Sequence, residues 1–159
     1  MTKFSEKAGL GLDDFDRQIL GVVQRDNQLS HAEIGERVGL SGSAVRRRLI
    51  RLRAAGVIER DVSILASEAF GVTLVVSVAF ARETPALYQA FEAQMIALPE
   101  VRQCYHIAGR ADYLLVVQSP SLEYYEEWAK AQIMANDAIA RYDTTVVWSC
   151  KKFETAVAL

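Results

Sequence analysis

A stretch of twelve residues, 30–41, constrains this chain more than any other. Ser30 and Glu33 stand at the Ser-x-x-Glu spacing of a capping box, in which each side chain accepts an N–H from the other end of a helix's first turn. Ile34 and Val38 follow on one helical face, and Gly39 is placed to end the helix in a left-handed turn. Leu40 comes next, and Ser41 is a residue type that caps another helix. A short helix, a turn containing Gly and a further helix in direct succession make a helix-turn-helix.

The second helix of that pair is resolved by angle. At about 100° per residue, Val45, Leu49 and Leu52 form one narrow buried stripe. Ser43, Arg47 and Ile50 point nearly opposite, with Arg46 and Arg53 on one flank and Arg48 and Arg51 on the other. Six arginines and a single acid, Glu59, fall within residues 41–60. Arg pairs with phosphate and reads guanine bidentately in the major groove, and the second helix of a helix-turn-helix docks there. Ser43, Arg46, Arg47, Ile50 and Arg51 are therefore the expected reading set. Arg48 and Arg53 are expected on phosphates, with Ser41 at the helix start. The whole chain is slightly acidic, with a net charge of −2. Residues 1–60 nevertheless hold eleven basic against eight acidic side chains, whereas residues 61–159 hold seven against twelve. Such a chain presents one basic face to a polyanion.

Upstream, Leu12-Asp13-Asp14 opens a first helix with Phe15, Ile19, Leu20, Val22 and Val23 inward. Its acids at 13, 14 and 16 suit the positive end of the helix dipole, a capping role rather than a metal site. After Gly56, residues 57–65 read as an extended hinge strand, and residues 66–71 as a connector.

The remaining residues alternate between periods of two and 3.6. Residues 72–81 form a strand, and Thr84-Pro85 opens a helix with Leu87, Phe91, Met95 and Leu98 inward. Residues 101–108 and 112–118 make a hairpin about the turn at 109–111. Ser119-Pro120-Ser121 opens a helix with Leu122, Tyr125, Trp128, Ala129 and Ile133 inward, and residues 143–154 form the last strand. The order β-α-β-β-α-β is ferredoxin-like, so the fold class is α+β: a helix-turn-helix, winged-helix-like head followed by a ferredoxin-like domain. The expected division is 1–60 for the head, 61–71 for hinge and linker, and 72–159 for the second domain. One sheet face is left open, lined by Thr73, Val75, Ser77 and Ala79 and by Thr145, Val147, Ser149 and Lys151. A half-apolar open face needs cover, which implies a homodimer.

Composition narrows the function. Hydrophobic residues at 51% and charged residues at 24% exclude a disordered or fibrous chain. No apolar run is long enough to span a membrane, and residues 1–10 lack the apolar core of a secretory signal, so the expected location is the cytoplasm. Cys104 and Cys150 cannot build a disulfide framework and, with His106, lack metal-ligand spacing. His31 fits a surface or capping place. No Cys-x-x-Cys or phosphate-cradling Gly-rich loop is present. The expectation is a non-enzyme with no cofactor and no metal.

These pieces together resemble the Lrp/AsnC family of feast/famine transcription factors. The resemblance spans roughly residues 11–154. It is carried by LDDFDRQIL at 12–20, LSGSAVRRRLIRL at 40–52, GVI at 56–58 and GRADYLL at 109–115. It implies a regulator of double-stranded DNA, a homodimer that assembles further to tetramers or octamers, and a small effector, commonly an amino acid, held between dimers at the Gly-x-x-Asp loop. Carried over, that loop is Gly109, Arg110, Ala111 and Asp112, flanked by Tyr113 and His106, with Thr144 as a further candidate. Asp112 suits an ammonium group, and Arg110 or loop N–H groups suit a carboxylate. The structural alternative is a hairpin loop with Gly for its φ and Asp bonding its own backbone. Two positions depart from the family: 111 is often aromatic and is Ala here, and 53 is often acidic and is Arg here. Siroheme decarboxylases share the two-domain architecture and would put His106 to chemical use; an architectural DNA-wrapping protein would keep the arginines without an effector.

Overall fold

The computed structural model describes residues 11–159. The opening ten residues, and with them the reading of that segment as lacking a secretory signal, lie outside it. The chain divides into two compact units, one running up to Ser63 and joined by Lys152–Leu159, the other Ile64–Lys151. The last eight residues thus leave the expected second domain and belong with the first unit.

The first unit holds α1 (Asp14–Val23), α2 (His31–Val38) and α3 (Gly42–Ala54). Both early helices start on complete capping boxes, Asp13 with Asp16 and Ser30 with Glu33. Gly39 ends α2 at φ 72°, a left-handed turn that favours glycine. The turn then closes on α2 itself: the Leu40 N–H donates to the Gly35 carbonyl at 2.9 Å, and a Cβ on Gly35 would lie 2.3 Å from Leu40 O. Ile19, Ile34, Val38, Val45 and Leu49 form the core. Phe15, expected inward, is 40% exposed, and Asp16 takes the buried place instead. In the tail, the Val157 N–H donates to Gln24 Oε1 at 2.9 Å and Gln24 Nε2 donates to Val157 O at 3.0 Å, an amide paired with a peptide unit.

Residues 57–65 form no strand. A strand needs a neighbour for its backbone groups, and no strand among the described residues pairs with this segment. The connector contains a 3₁₀ turn, Ser67–Phe70, and then Gly71 at φ 112°. A Cβ there would lie 2.1 Å from Ser119 O, so only glycine fits.

The second unit is one antiparallel sheet with strand order β2-β3-β1-β4. Its elements are β1 (Val72–Phe80), α4 (Pro85–Ala97), β2 (Val101–His106), β3 (Tyr113–Ser119), α5 (Leu122–Ala129) and β4 (Ile139–Val146), with a π-helical turn at Lys130–Met134. This is the ferredoxin-like arrangement, and the fold is α+β. Leu74, Val76 and Val78 of β1 and Tyr113, Leu115 and Val117 of β3 are fully buried against Phe91, Met95 and Ile133 from the helical layer. Burying each such side chain contributes about 1.5–3 kcal/mol. The alternate residues Thr73, Val75, Ser77 and Ala79 share the opposite face and are only half-buried, as expected. Leu122 is exposed rather than inward. The last strand ends at Val146, well before Glu154, because its partner β1 begins at Val72: the Val147 N–H reaches Thr73 O and nothing remains to pair beyond. Among the described residues no helix is long and apolar enough to cross a membrane.

Candidate functional site

The surface of α3 follows from which of its arginines are held. Val45, Leu49 and Leu52 face inward and fix the helix rotation. Ser41 caps its start by accepting the Ala44 N–H, and its hydroxyl lies 3.1 Å from that of Ser43. Asp16 is fully buried at the foot of α1 and receives both Arg48 and Arg51. Arg48 also reaches Asp13 at 2.7 Å and lies over the Phe15 ring at 5.5 Å. The backbone N–H of Asp16, followed by the Arg48 guanidinium, holds the Asp13 carboxyl below its ordinary value of 3.8. Arg53 grips Asp61 side-on, at 2.9 and 3.2 Å.

Three of the expected DNA contacts are therefore engaged within the protein. Arg48 is corrected from a phosphate contact to a strut between α1 and α3, since its side chain is 22% exposed and its donors point at carboxylates. Arg51 is shared, held by Asp16 yet 56% exposed. Arg53 is spoken for by Asp61. Arg46 and Arg47 stand exposed with no side-chain partner among the described residues, beside Ser43 and Ile50, the latter 57% exposed. Sequence reasoning read Asp16 as a capping acid and overlooked its role as the anion for two arginines. The available signal was an acid among the apolar positions of α1, facing a helix rich in arginine.

The loop between β2 and β3 is equally specific. The Asp112 N–H donates to Val78 O at 2.9 Å, and its carbonyl accepts from Ile107 N–H at 2.8 Å. Its carboxylate accepts the Phe80 N–H at 2.7 Å on one oxygen and the Tyr88 hydroxyl at 2.8 Å on the other. Burial, and then the adjacent carboxylate, push the Tyr88 phenol up to about 12. Tyr113 is fully buried and donates to Glu92 at 2.8 Å, so it is a core residue and not a lining of the loop. The His106 ring stacks on Tyr113 at 4.9 Å and 16° while staying exposed. Thr144 lies beneath α5, its hydroxyl 2.6 Å from that of Tyr125, apart from the loop residues. Gly109 and Arg110 are exposed and Ala111 is half-buried. Gly109 lies outside the left-handed region, and a Cβ added there meets nothing within 4 Å. Neither backbone nor packing in this chain requires a glycine at that position. Tyr88 and Glu92, one helical turn apart on α4, are the partners that sequence reasoning missed.

Comparison with known proteins settles the family. Residues 12–53 match the AsnC-type helix-turn-helix domain, and residues 73–157 match the Lrp/AsnC ligand binding domain. The chain belongs to the Lrp/AsnC family. It is 38% identical over 150 residues to an HTH-type transcriptional regulator of Sinorhizobium fredii, covering 93% of this chain and 89% of that one. The crystal structure of an AsnC family transcriptional regulator from Agrobacterium tumefaciens superposes with a TM-score of 0.85 at 30% identity, covering 92% and 97% of the two chains. A transcriptional regulator of Neisseria meningitidis, solved as its L-Met complex, superposes equally well at 27% identity, covering 92% and 96%. This Lrp/AsnC chain is a transcriptional regulator with a DNA-binding helix-turn-helix, carried on the first unit and followed by the sheet unit.

Proposed function

We propose that this regulator binds specific double-stranded DNA as a homodimer and that a small effector, an amino acid, adjusts that binding. The observation that carries the reading is the division of labour on α3: Arg48, Arg51 and Arg53 bond to acids of the protein, while Arg46 and Arg47 remain unpartnered on the exposed face with Ser43 and Ile50. The held arginines lock the helix, and the free ones read the major groove. Arg51, half-exposed, adds a phosphate contact at the edge. Two heads, brought together by the open sheet face around Val75, read two half-sites.

The effector sits at the Gly109–Asp112 loop, where Arg110 and the loop N–H groups receive its carboxylate. Its presence shifts the assembly between dimer and tetramer or octamer. It does so only through unequal affinity for the two states. The liganded Neisseria relative and the unexplained glycine at 109 support this placement. A regulator of the chromosome works in the cytoplasm, where we place it.

The experiment is a titration of a mapped operator with Arg47→Ala. The specific site is expected to lose about 1–3 kcal/mol of affinity, with a smaller loss on unrelated DNA. Arg48→Ala is expected to lower thermal stability first. Equal binding of parent and Arg47→Ala to the operator would overturn the assignment of the reading face.

A further inference from the structure

Arg53 stands in the last turn of α3 and Asp61 in the segment that leaves the helix, both within the first unit. What brings them together starts at the helix end. The Gly56 N–H donates to Arg53 O and the Val57 N–H to Leu52 O, both at 2.9 Å, with Gly56 at a φ of 67°. This is a Schellman turn, which satisfies the last carbonyls of the helix and reverses the chain. Ile58 then packs back on the core of the head. Asp61 comes alongside α3, where Arg53 Nε and Nη2 donate to its two oxygens at 2.9 and 3.2 Å.

Two parallel bonds from a planar guanidinium are the geometry in which an exposed ion pair holds its partners in place. The Arg53 guanidinium keeps the Asp61 carboxyl below its ordinary value of 3.8, so the pair is charged at neutral pH. An acid at position 53 would repel Asp61 instead. Past Asp61 the chain changes character. Residues 62–66 carry no charged side chain, and Val62, Ile64 and Leu65 are exposed. Residues 59–66 contain no helix or strand.

The clasp therefore sets the length of the connection. With it closed, the connection to the 3₁₀ turn at Ser67 is residues 62–66; with it open, the connection starts after Ile58. Fully extended, at about 3.3–3.6 Å per residue, these lengths span about 17 and 28 Å. Opening the clasp gives a head about 10 Å more travel, or about three base pairs at ~3.4 Å each.

We propose that the Arg53–Asp61 clasp selects the operator spacing: by fixing where the head ends and the connection begins, it restricts the separation of half-sites that a pair of heads accepts. Arg53 and Asp61 are positioning residues and contact no base. The inference rests on the reading of this chain as a homodimer on two half-sites, and it names what selects their separation.

The test is a selection with the full-length protein on a DNA pool in which two copies of the mapped half-site are separated in single-base-pair steps. The parent is expected to enrich a narrow set of spacings. Asp61→Ala and Arg53→Gln are each expected to accept spacings about three base pairs to either side, with the preference for the best spacing falling several-fold. Asp61→Ala is expected to keep the parent's affinity for an isolated half-site. The charge-swapped double variant Arg53→Glu/Asp61→Arg is expected to recover the narrow set, which neither a general loss of stability nor a lost phosphate contact allows. Tryptic cleavage after Arg60, inside the clasped segment, is an independent readout. Arg53→Gln leaves that cleavage sequence intact and is expected to speed the cut several-fold in the folded protein. Parent-like spacing in both single variants would overturn the role of the clasp and leave the two-headed reading intact. So would a loss in Arg53→Gln that is equal at every spacing and absent from Asp61→Ala, the behaviour of a phosphate contact. A parent with no spacing preference would overturn both.

Discussion

Replacing Asp16 by alanine strikes the head at its most concentrated point. The carboxylate is fully buried and anchors Arg48 and Arg51 of α3 against α1. Breaking a buried ion pair from one side costs about 3–5 kcal/mol. Arg48 and Arg51 keep 22% and 56% of their side-chain exposure, so water recovers part of that and about 2–3 kcal/mol remains. Loss of the Asp16 bond to the Asp13 N–H, half of the capping box, adds about 0.5–1 kcal/mol. The expected total of about 3 kcal/mol is a large part of the ~5–15 kcal/mol that holds a domain together. For a unit of this size each kcal/mol moves the midpoint by about 4–8 °C, so the head transition is expected to fall by about 12–24 °C. Scanning calorimetry of parent, Asp16→Ala and Asp16→Asn reads the shift, with Asn between the other two because it retains the shape and one acceptor. The double variant with Arg48→Ala is expected to be less destabilised than the sum of its singles, since the two residues share one network. A fall of under about 4 °C for Asp16→Ala, or strict additivity with Arg48→Ala, would refute the reasoning.

Other expectations follow from single contacts. Gly71→Ala combines a φ of 112° with a Cβ 2.1 Å from Ser119 O and is expected to cost at least about 3 kcal/mol in denaturant unfolding. Ser30→Ala removes the acceptor for the Glu33 N–H and is expected to cost about 1 kcal/mol, read the same way. Tyr88 has a folded pKa of about 12, above its ordinary value of 10.0, so its neutral form stabilises the fold fully below pH 10.0 and that contribution fades as pH rises toward about 12. Phenolate absorbance is expected to show one fewer late-titrating tyrosine in Tyr88→Phe, with buried Tyr113 still titrating late; an unchanged titration in that variant would contradict the placement beside Asp112.

The parts of the fold that were legible in the sequence are those set by local rules. Ser30, Glu33, Gly39 and Ser41 act through neighbours within a few residues, and each does in the structure what its type and spacing imply. The period of two in β1 and β3 placed Leu74, Val76, Leu115 and Val117 in the core. The features that sequence reasoning missed depend on partners far along the chain. Asp16 meets Arg48 and Arg51 over thirty residues away, and its polarity argues against burial until those cations are known. The end of the last strand is decided by where β1 begins, which no periodicity within residues 143–154 reveals. Residues 57–65 carry the composition of a strand but have no strand neighbour among the described residues. In the loop at 109–112, residue types alone could not show that the Asp112 carboxylate accepts from Phe80 and Tyr88, or that Tyr113 points into the core.

The most direct test of the central claim is to map the genomic fragments that the purified full-length protein retains, with and without a mixture of the twenty amino acids, beside Arg46→Ala/Arg47→Ala. Discrete sites with two related halves, redistributed by the mixture and lost in the double variant, are expected of a regulator that reads DNA through the free face of α3 and senses an amino acid in its sheet unit. Retention without sequence preference, or the same sites bound by the double variant and indifferent to the mixture, would contradict it.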